Sequence, residues 1–178
     1  MTPPEPPYMS SEHPVAITYP LGCHVMGSIT IHTPTPDALQ VIALQLCKAD
    51  RDELAALGHL APHSVIAASQ KASREVYVAH SDGEAQAVFG IMDYPKDHRF
   101  GIPWMLSTGT GRRHRRAFMR VSRKMIDAWS PMYMALVNIV SDQHPTAPAW
   151  LKALRFTPLA AHAVNGYSFT EYGRFGYV

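Results

Sequence analysis

The sequence predicts an α/β (α+β) fold, and three observations carry that reading. Between Gly101 and Trp129 a short apolar run of strand length, Ile102 to Ser107, passes through the breaker Thr108-Gly109-Thr110-Gly111 into a stretch of helical period. Two other stretches alternate with period two on either side of a turn signal, Ser81-Asp82-Gly83 in one and Asn165-Gly166 in the other, which marks hairpins. The segments from Thr35 to Ala72 repeat apolar residues at helical spacing instead.

In chain order, residues 1–26 read as a proline-rich arm. Prolines remove backbone donors and favour extended conformation, so the arm is expected to order by docking on another subunit, with Pro4, Pro7 and Tyr8 as candidate contacts. Residues 27–178 form one domain. Gly27 to His32 alternates as a first strand. Thr35-Pro36-Asp37 supplies an N-cap, a proline at the first helical position and a first-turn acid ahead of Leu39, Ile42, Ala43 and Leu46. Asp50 and Glu53 have capping-box spacing before Leu54, Ala55 and Leu57, with Gly58 as the stop, and a third helical stretch runs from Pro62 to Ala72.

Arg74 to Tyr94 is the first hairpin. The helix after Gly111 places Phe118, Val121, Met125 and Ala128 on one stripe, leaving Arg113, Arg116, Arg120, Arg123 and Lys124 mostly off it. Tyr133 to Val140 is apolar on both faces, as in a central strand. Thr146 to Leu154 is a short helix with Trp150, Leu151 and Leu154 facing inward, and Phe156 to Val164 pairs with Tyr167 to Phe175.

Composition bounds the function. The chain has 178 residues, 47% of them hydrophobic, which suits one sizeable core. Net charge is +2, from 16 Lys+Arg against 14 Asp+Glu, so the arginines near residue 115 are a local cluster. Cys23 and Cys47 give no disulfide framework, which suits a reducing compartment. No apolar run of about 18 residues and no signal core is present, so neither membrane insertion nor secretion is expected, and synthesis should be cytoplasmic.

Chemistry concentrates at the glycine turn. A helix start carries partial positive charge, yet Arg112, Arg113, Arg115 and Arg116 crowd there, each unfavourable by roughly 0.3–1 kcal/mol when exposed. An anion would relieve this: a phosphate held by Gly109, Thr110, Gly111, Arg112 and Arg113, a nucleic-acid backbone, or carboxylates of a partner protein. A solvated basic face is the alternative. Asp50-Arg51-Asp52-Glu53 can be read as a catalytic or metal-binding acid cluster, but capping explains two of its three acids. His59 and His63 have i, i+4 spacing with Pro62 between them and no third ligand nearby, so no metal site is expected. Tyr167, Phe169, Tyr172, Phe175 and Tyr177 make an aromatic C-terminal hairpin and tail with one face available to an interface.

The element order resembles the GNAT acetyltransferase fold, a mixed, mainly antiparallel central sheet flanked by helices, in which a central strand feeds a glycine turn and a helix that bind the pyrophosphate of acetyl-CoA. Gly109 and Gly111 match that family's turn, whereas Leu106 stands at its Gln/Arg position. Aligned on Phe156, His144, Ala147, Leu151 and Arg155 fall at the Asn, Ala, Tyr and Gly positions of the family's later helix. Leucine cannot donate the proton that the tyrosine gives. Ile102 to Ser107 holds no carboxylate base, which leaves Asp93, through a water, as base and Tyr133 or a water in place of the missing tyrosine.

The runs RRHRRAFMRVSRKMIDAW, WLKALRF and LCKADRDELAALG further resemble the phage internal virion protein A type. That resemblance implies a non-enzymatic virion component without catalytic residues or cofactor. It would be made in the host cytoplasm and present in multiple copies, and its arm and Arg112, Arg113, Arg115 and Arg116 would meet portal, core or tail proteins, with DNA as a possible further contact. The other expectation is an acetyl-CoA-dependent N-acyltransferase.

Overall fold

The computed structural model describes residues 24–26, 28–109 and 114–176. Eight strands form one sheet in the order β1-β2-β3-β4-β5-β6-β8-β7. They are β1 (His24–Met26), β2 (Ile29–His32), β3 (Ser73–Ser81), β4 (Glu84–Asp93), β5 (Phe100–Ser107), β6 (Ala135–Ser141), β7 (Thr157–Val164) and β8 (Tyr167–Phe175). Helices α1 (Pro36–Leu44), α2 (Lys48–Ala56) and α3 (Pro62–Ala72) precede β3, α4 (Arg115–Trp129) links β5 to β6, and α5 (Ala147–Ala153) follows β6. Every neighbouring pair is antiparallel except β5 and β6. The mixed, mainly antiparallel architecture expected from the sequence is therefore present. β1 lies ahead of Gly27, so the sheet takes in residues assigned to the arm. Pro4, Pro7 and Tyr8 lie outside the described residues.

Local chemistry accounts for the elements. Thr35 Oγ1 accepts the Ala38 N–H at 3.3 Å and Pro36 opens α1. Both hairpins turn through residues of positive φ, Asp82 and Gly83 at 53° and 81°, Asn165 and Gly166 at 50° and 81°, the conformation that a two-residue hairpin loop demands. The sheet buries a core on each face. Under α4 and α5 lie Ile29, Ala79, Ala87, Phe89, Ile91, Leu136 and Val140; on the other face Val78, Val88 and Leu106 meet Ile42, Leu46, Leu54 and Ile66. The buried stripe of α4 ends on Ile126 and Trp129, with Met125 and Ala128 only half-buried, because the helix turns its last apolar pair toward the sheet.

α2 departs from the sequence reading. It starts at Lys48 with Cys47 as N-cap and no side-chain cap, so Asp50 and Glu53 lie inside the helix and cap nothing. Both carboxylates turn toward the sheet. Gly58, at φ 89°, ends this segment as expected.

Candidate active site

The parallel strands β5 and β6 pair only at Phe100↔Ala135 and Gly101↔Leu136, then part, leaving a wedge in the middle of the sheet. Backbone phase determines what faces it. Ser107 donates its N–H to Asp50 and accepts from Cys47 N–H, so neither group joins the β4 ladder. Successive residues alternate in direction, hence Met105 and Pro103 also turn their backbone groups toward the wedge. Proline is tolerated in this central strand because its missing N–H belongs to the open side. Asn138 Nδ2 donates to Pro103 O at 2.8 Å and satisfies the carbonyl that β6 leaves unpaired. On β6, Ser141 N–H points to Glu53, so Ile139, two residues earlier, presents its N–H and C=O to the same space. By the same phase the Met105 N–H faces the wedge, and the residue is 40% exposed although the strand is central.

α2 closes the open end of the wedge. Asp50 Oδ2 accepts from Ser107 N (2.7 Å) and Ser107 Oγ (3.3 Å), and Oδ1 accepts from His144 Nε2 (3.0 Å). Asp50 is thus a strap from β5 to the loop after β6. Glu53 Oε1 accepts from Ser141 N at 2.6 Å. His144 Nδ1 accepts the Ala147 and Thr146 N–H groups at 3.0 and 3.3 Å, which fixes the neutral tautomer with hydrogen on Nε2 and caps α5. Burial raises the pKa of Glu53 above the usual carboxylate range against the pull of the Ser141 N–H and His144. Burial lowers that of His144, but the Asp50 hydrogen bond and the Glu53 charge outweigh it and raise it overall. Cys47, half-buried beside Ser107, has its thiol pushed up by burial first and by the Asp50 charge as well.

The glycine turn leaves from the same end of β5. Gly109 has φ 79°, and a Cβ there would meet Cys47 Cβ at 2.8 Å, so the position requires glycine. Thr110, Gly111, Arg112 and Arg113 lie outside the described residues. His114, the N-cap of α4, is held by Ser28 Oγ at Nδ1 (2.7 Å) and Asp82 at Nε2 (3.3 Å), which fastens the helix start to two hairpin turns. Arg115 and Arg116 are exposed on the first turn.

Two sequence candidates are placed elsewhere. Asp93 pairs with Gly101, six residues along β5 from Ser107 and roughly 20 Å away. Its carboxylate is taken by Arg74 at 2.5 and 2.9 Å and by the Tyr133 hydroxyl at 2.9 Å. Tyr133 lies against Gly101 at the paired end of β5 and β6, where burial and the Asp93 charge hold its hydroxyl protonated. Neither reaches the wedge. Leu151, at the position of the missing tyrosine, is buried in the core. Among the described residues no three His, Cys, Asp or Glu side chains are placed to hold a metal ion, and no helix is long and apolar enough to cross a membrane.

This strand order, with a parallel pair that parts ahead of a glycine turn and helix, defines the class: the chain has the GNAT acetyltransferase fold. An aminoglycoside acetyltransferase, AAC(6')-Ib, solved with coenzyme A superposes with TM-score 0.63 at 10% identity, over 83% of this chain and 95% of that one. The ribosomal-protein-S18-alanine N-acetyltransferase of Escherichia coli gives 0.62 at 10% identity, over 84% and 95%. A microcin C7 self-immunity acetyltransferase in complex with acetyl-CoA and AMP gives 0.61 at 12%, over 88% and 97%. No protein-family model and no curated sequence matches the chain.

These neighbours overturn the expectation of a non-enzymatic phage virion component, since many of the solved structures that share the fold are N-acetyltransferases. Nothing in them carries the phage resemblance. The expectation of no cofactor likewise loses its support, because such neighbours are solved with coenzyme A or acetyl-CoA. The phage resemblance rests on the runs RRHRRAFMRVSRKMIDAW, WLKALRF and LCKADRDELAALG, and the non-enzymatic reading also on the absent acid and base.

Proposed function

We propose that the chain is an acetyl-CoA-dependent N-acyltransferase whose donor lies in the wedge between β5 and β6. The observation that carries this reading is the parting of β5 and β6 after Gly101↔Leu136, which by strand phase turns the backbones of Met105 and Ile139 toward one another with no ladder between them. An N–H fixed in a half-dry wedge is suited to polarise a carbonyl oxygen, because it needs no reorganisation when charge develops there. The glycine turn and the arginines that follow it suit the phosphates of the donor: Gly109 is required by its contact with Cys47, and Thr110, Gly111, Arg112 and Arg113 join it on sequence grounds. The chemistry supplied by the donor is an activated acyl thioester. The chain's own part is to hold it: Asp50 fixes the end of β5, Asn138 occupies the Pro103 carbonyl, and α4 and α5 flank the opening. Leu151 donates no proton, so a departing thiolate takes one from water.

Calorimetry with acetyl-CoA tests the reading. Micromolar binding that vanishes in Gly111→Asp supports it, and the absence of heat at millimolar ligand sinks it.

A further inference from the structure

The sequence supplies no base on β5, and Asp93 is six residues from the open end and fully engaged. Besides the Cys47 thiol, which burial holds protonated beside Ser107, three titratable side chains lie at the wedge's open end. His144 is unsuited to accept a substrate proton: Nε2 already carries its hydrogen toward Asp50, and Nδ1 faces two backbone N–H groups. Asp50 has both oxygens committed, one to Ser107 and one to His144. Glu53 differs. One oxygen accepts from Ser141 N–H at the end of β6, the other has no hydrogen-bond partner among the described residues, and the residue is half-buried. Asp50 and Glu53 lie one turn apart on the same face of α2, so Glu53 is adjacent to the strap that sets the wedge mouth. The Met105 N–H lies two residues, about 7 Å, further in from Ser107.

From this placement we infer that Glu53 is the catalytic base and that the acceptor is a primary ammonium entering on the α2 side; the inference rests on the acyltransferase reading. The ammonium gives one proton to Glu53, directly or through one water, and becomes the free amine. The amine nitrogen attacks the thioester carbonyl; the C–N bond forms, the C–S bond breaks and its electron pair leaves on sulfur. The second nitrogen proton reaches the thiolate through solvent, and Glu53 returns its proton to water. The groups facing Glu53 are Asp50 on α2, His144 in the loop after β6 and the Ser141 N–H on β6. Asp50 and His144 are positioning residues, since they act by holding Ser107 and the start of α5.

The test uses the full chain with acetyl-CoA, n-butylamine as acceptor and n-butanol as its neutral counterpart, following thiol release from pH 5 to 10. The wild type should release thiol with the amine and not with the alcohol. Glu53→Gln should bind acetyl-CoA within twofold of wild type, lose on the order of 10²-fold or more in kcat/KM, and lose the carboxylate limb of the pH profile, with Glu53→Asp partly restoring both. A Glu53→Gln enzyme at wild-type rate with an unchanged profile overturns the inference. So does a wild type that binds acetyl-CoA and releases no thiol with the amine. A wild type that binds no acetyl-CoA overturns the underlying reading instead.

Discussion

Asp50 joins two strands that do not pair where it holds them. Replacing it by Ala removes the acceptor from Ser107 N–H and His144 Nε2–H, and a buried donor left unsatisfied costs about 1–3 kcal/mol. Urea denaturation of Asp50→Ala should therefore show a loss of that size, with Asp50→Asn losing less because one acceptor oxygen remains. Gly109 offers a second check. Gly109→Ala forces a Cβ into Cys47 at a position of φ 79°, and Cys47→Gly in the same chain should recover the part of the loss due to the clash but not the part due to the backbone. At this scale the sequence misread the site. Capping-box spacing and same-face spacing are both i, i+3, so Asp50 and Glu53 look like caps until the helix start is known. The overlooked signal was that Asp50 is one turn before Leu54 and shares its buried face.

Among the elements, β5 shows most clearly how a strand serves a site. Its phase sends the backbone of Ile102, Trp104 and Leu106 to β4 and that of Pro103 and Met105 to the wedge. Met105→Pro should thus leave the β4 ladder intact, keep near-wild-type circular dichroism and weaken acetyl-CoA binding in calorimetry, because it deletes the N–H that the strand turns toward the wedge. Comparable loss of secondary structure would contradict the phase argument. On α4, Phe118→Ala should cost about 3–5 kcal/mol in denaturant unfolding, being buried against the sheet. The elements were largely legible: Thr35-Pro36-Asp37, Asp82-Gly83 and Asn165-Gly166 each act through local backbone chemistry that tertiary structure did not override. β1 was not legible, being three residues long and dependent on pairing with β2. The wedge was not legible either, since whether two parallel strands stay paired is decided by α2 packing between their ends. Pro103 in a central strand was its only local sign.

Taken whole, the molecule stores opposing electrostatic terms at the two ends of β5. Arg74 first, through its hydrogen bond, lowers the pKa of Asp93, so the stability Asp93 contributes is present above the unfolded carboxylate value and is lost as pH falls through the folded one. Burial raises the pKa of Glu53, so its contribution is present below the ordinary glutamate value of about 4.3 and is lost as pH rises through the folded one. Glu53→Gln should therefore match wild type in melting temperature near pH 4 and exceed it at neutral pH. A variant less stable than wild type at pH 7 would show that the charged carboxylate supports the fold there.

Pro103 also has an isotopic consequence. Because it carries no amide hydrogen and Ser107 spends its own on Asp50, the amide hydrogen that β5 turns into the opening is that of Met105, faced across the gap by Ile139. In heavy water those two positions should exchange with the speed of a surface loop although they lie in central strands. The Met105 signal is then a built-in occupancy meter: whatever fills the opening must slow its deuterium uptake, with no label attached and no acceptor known in advance.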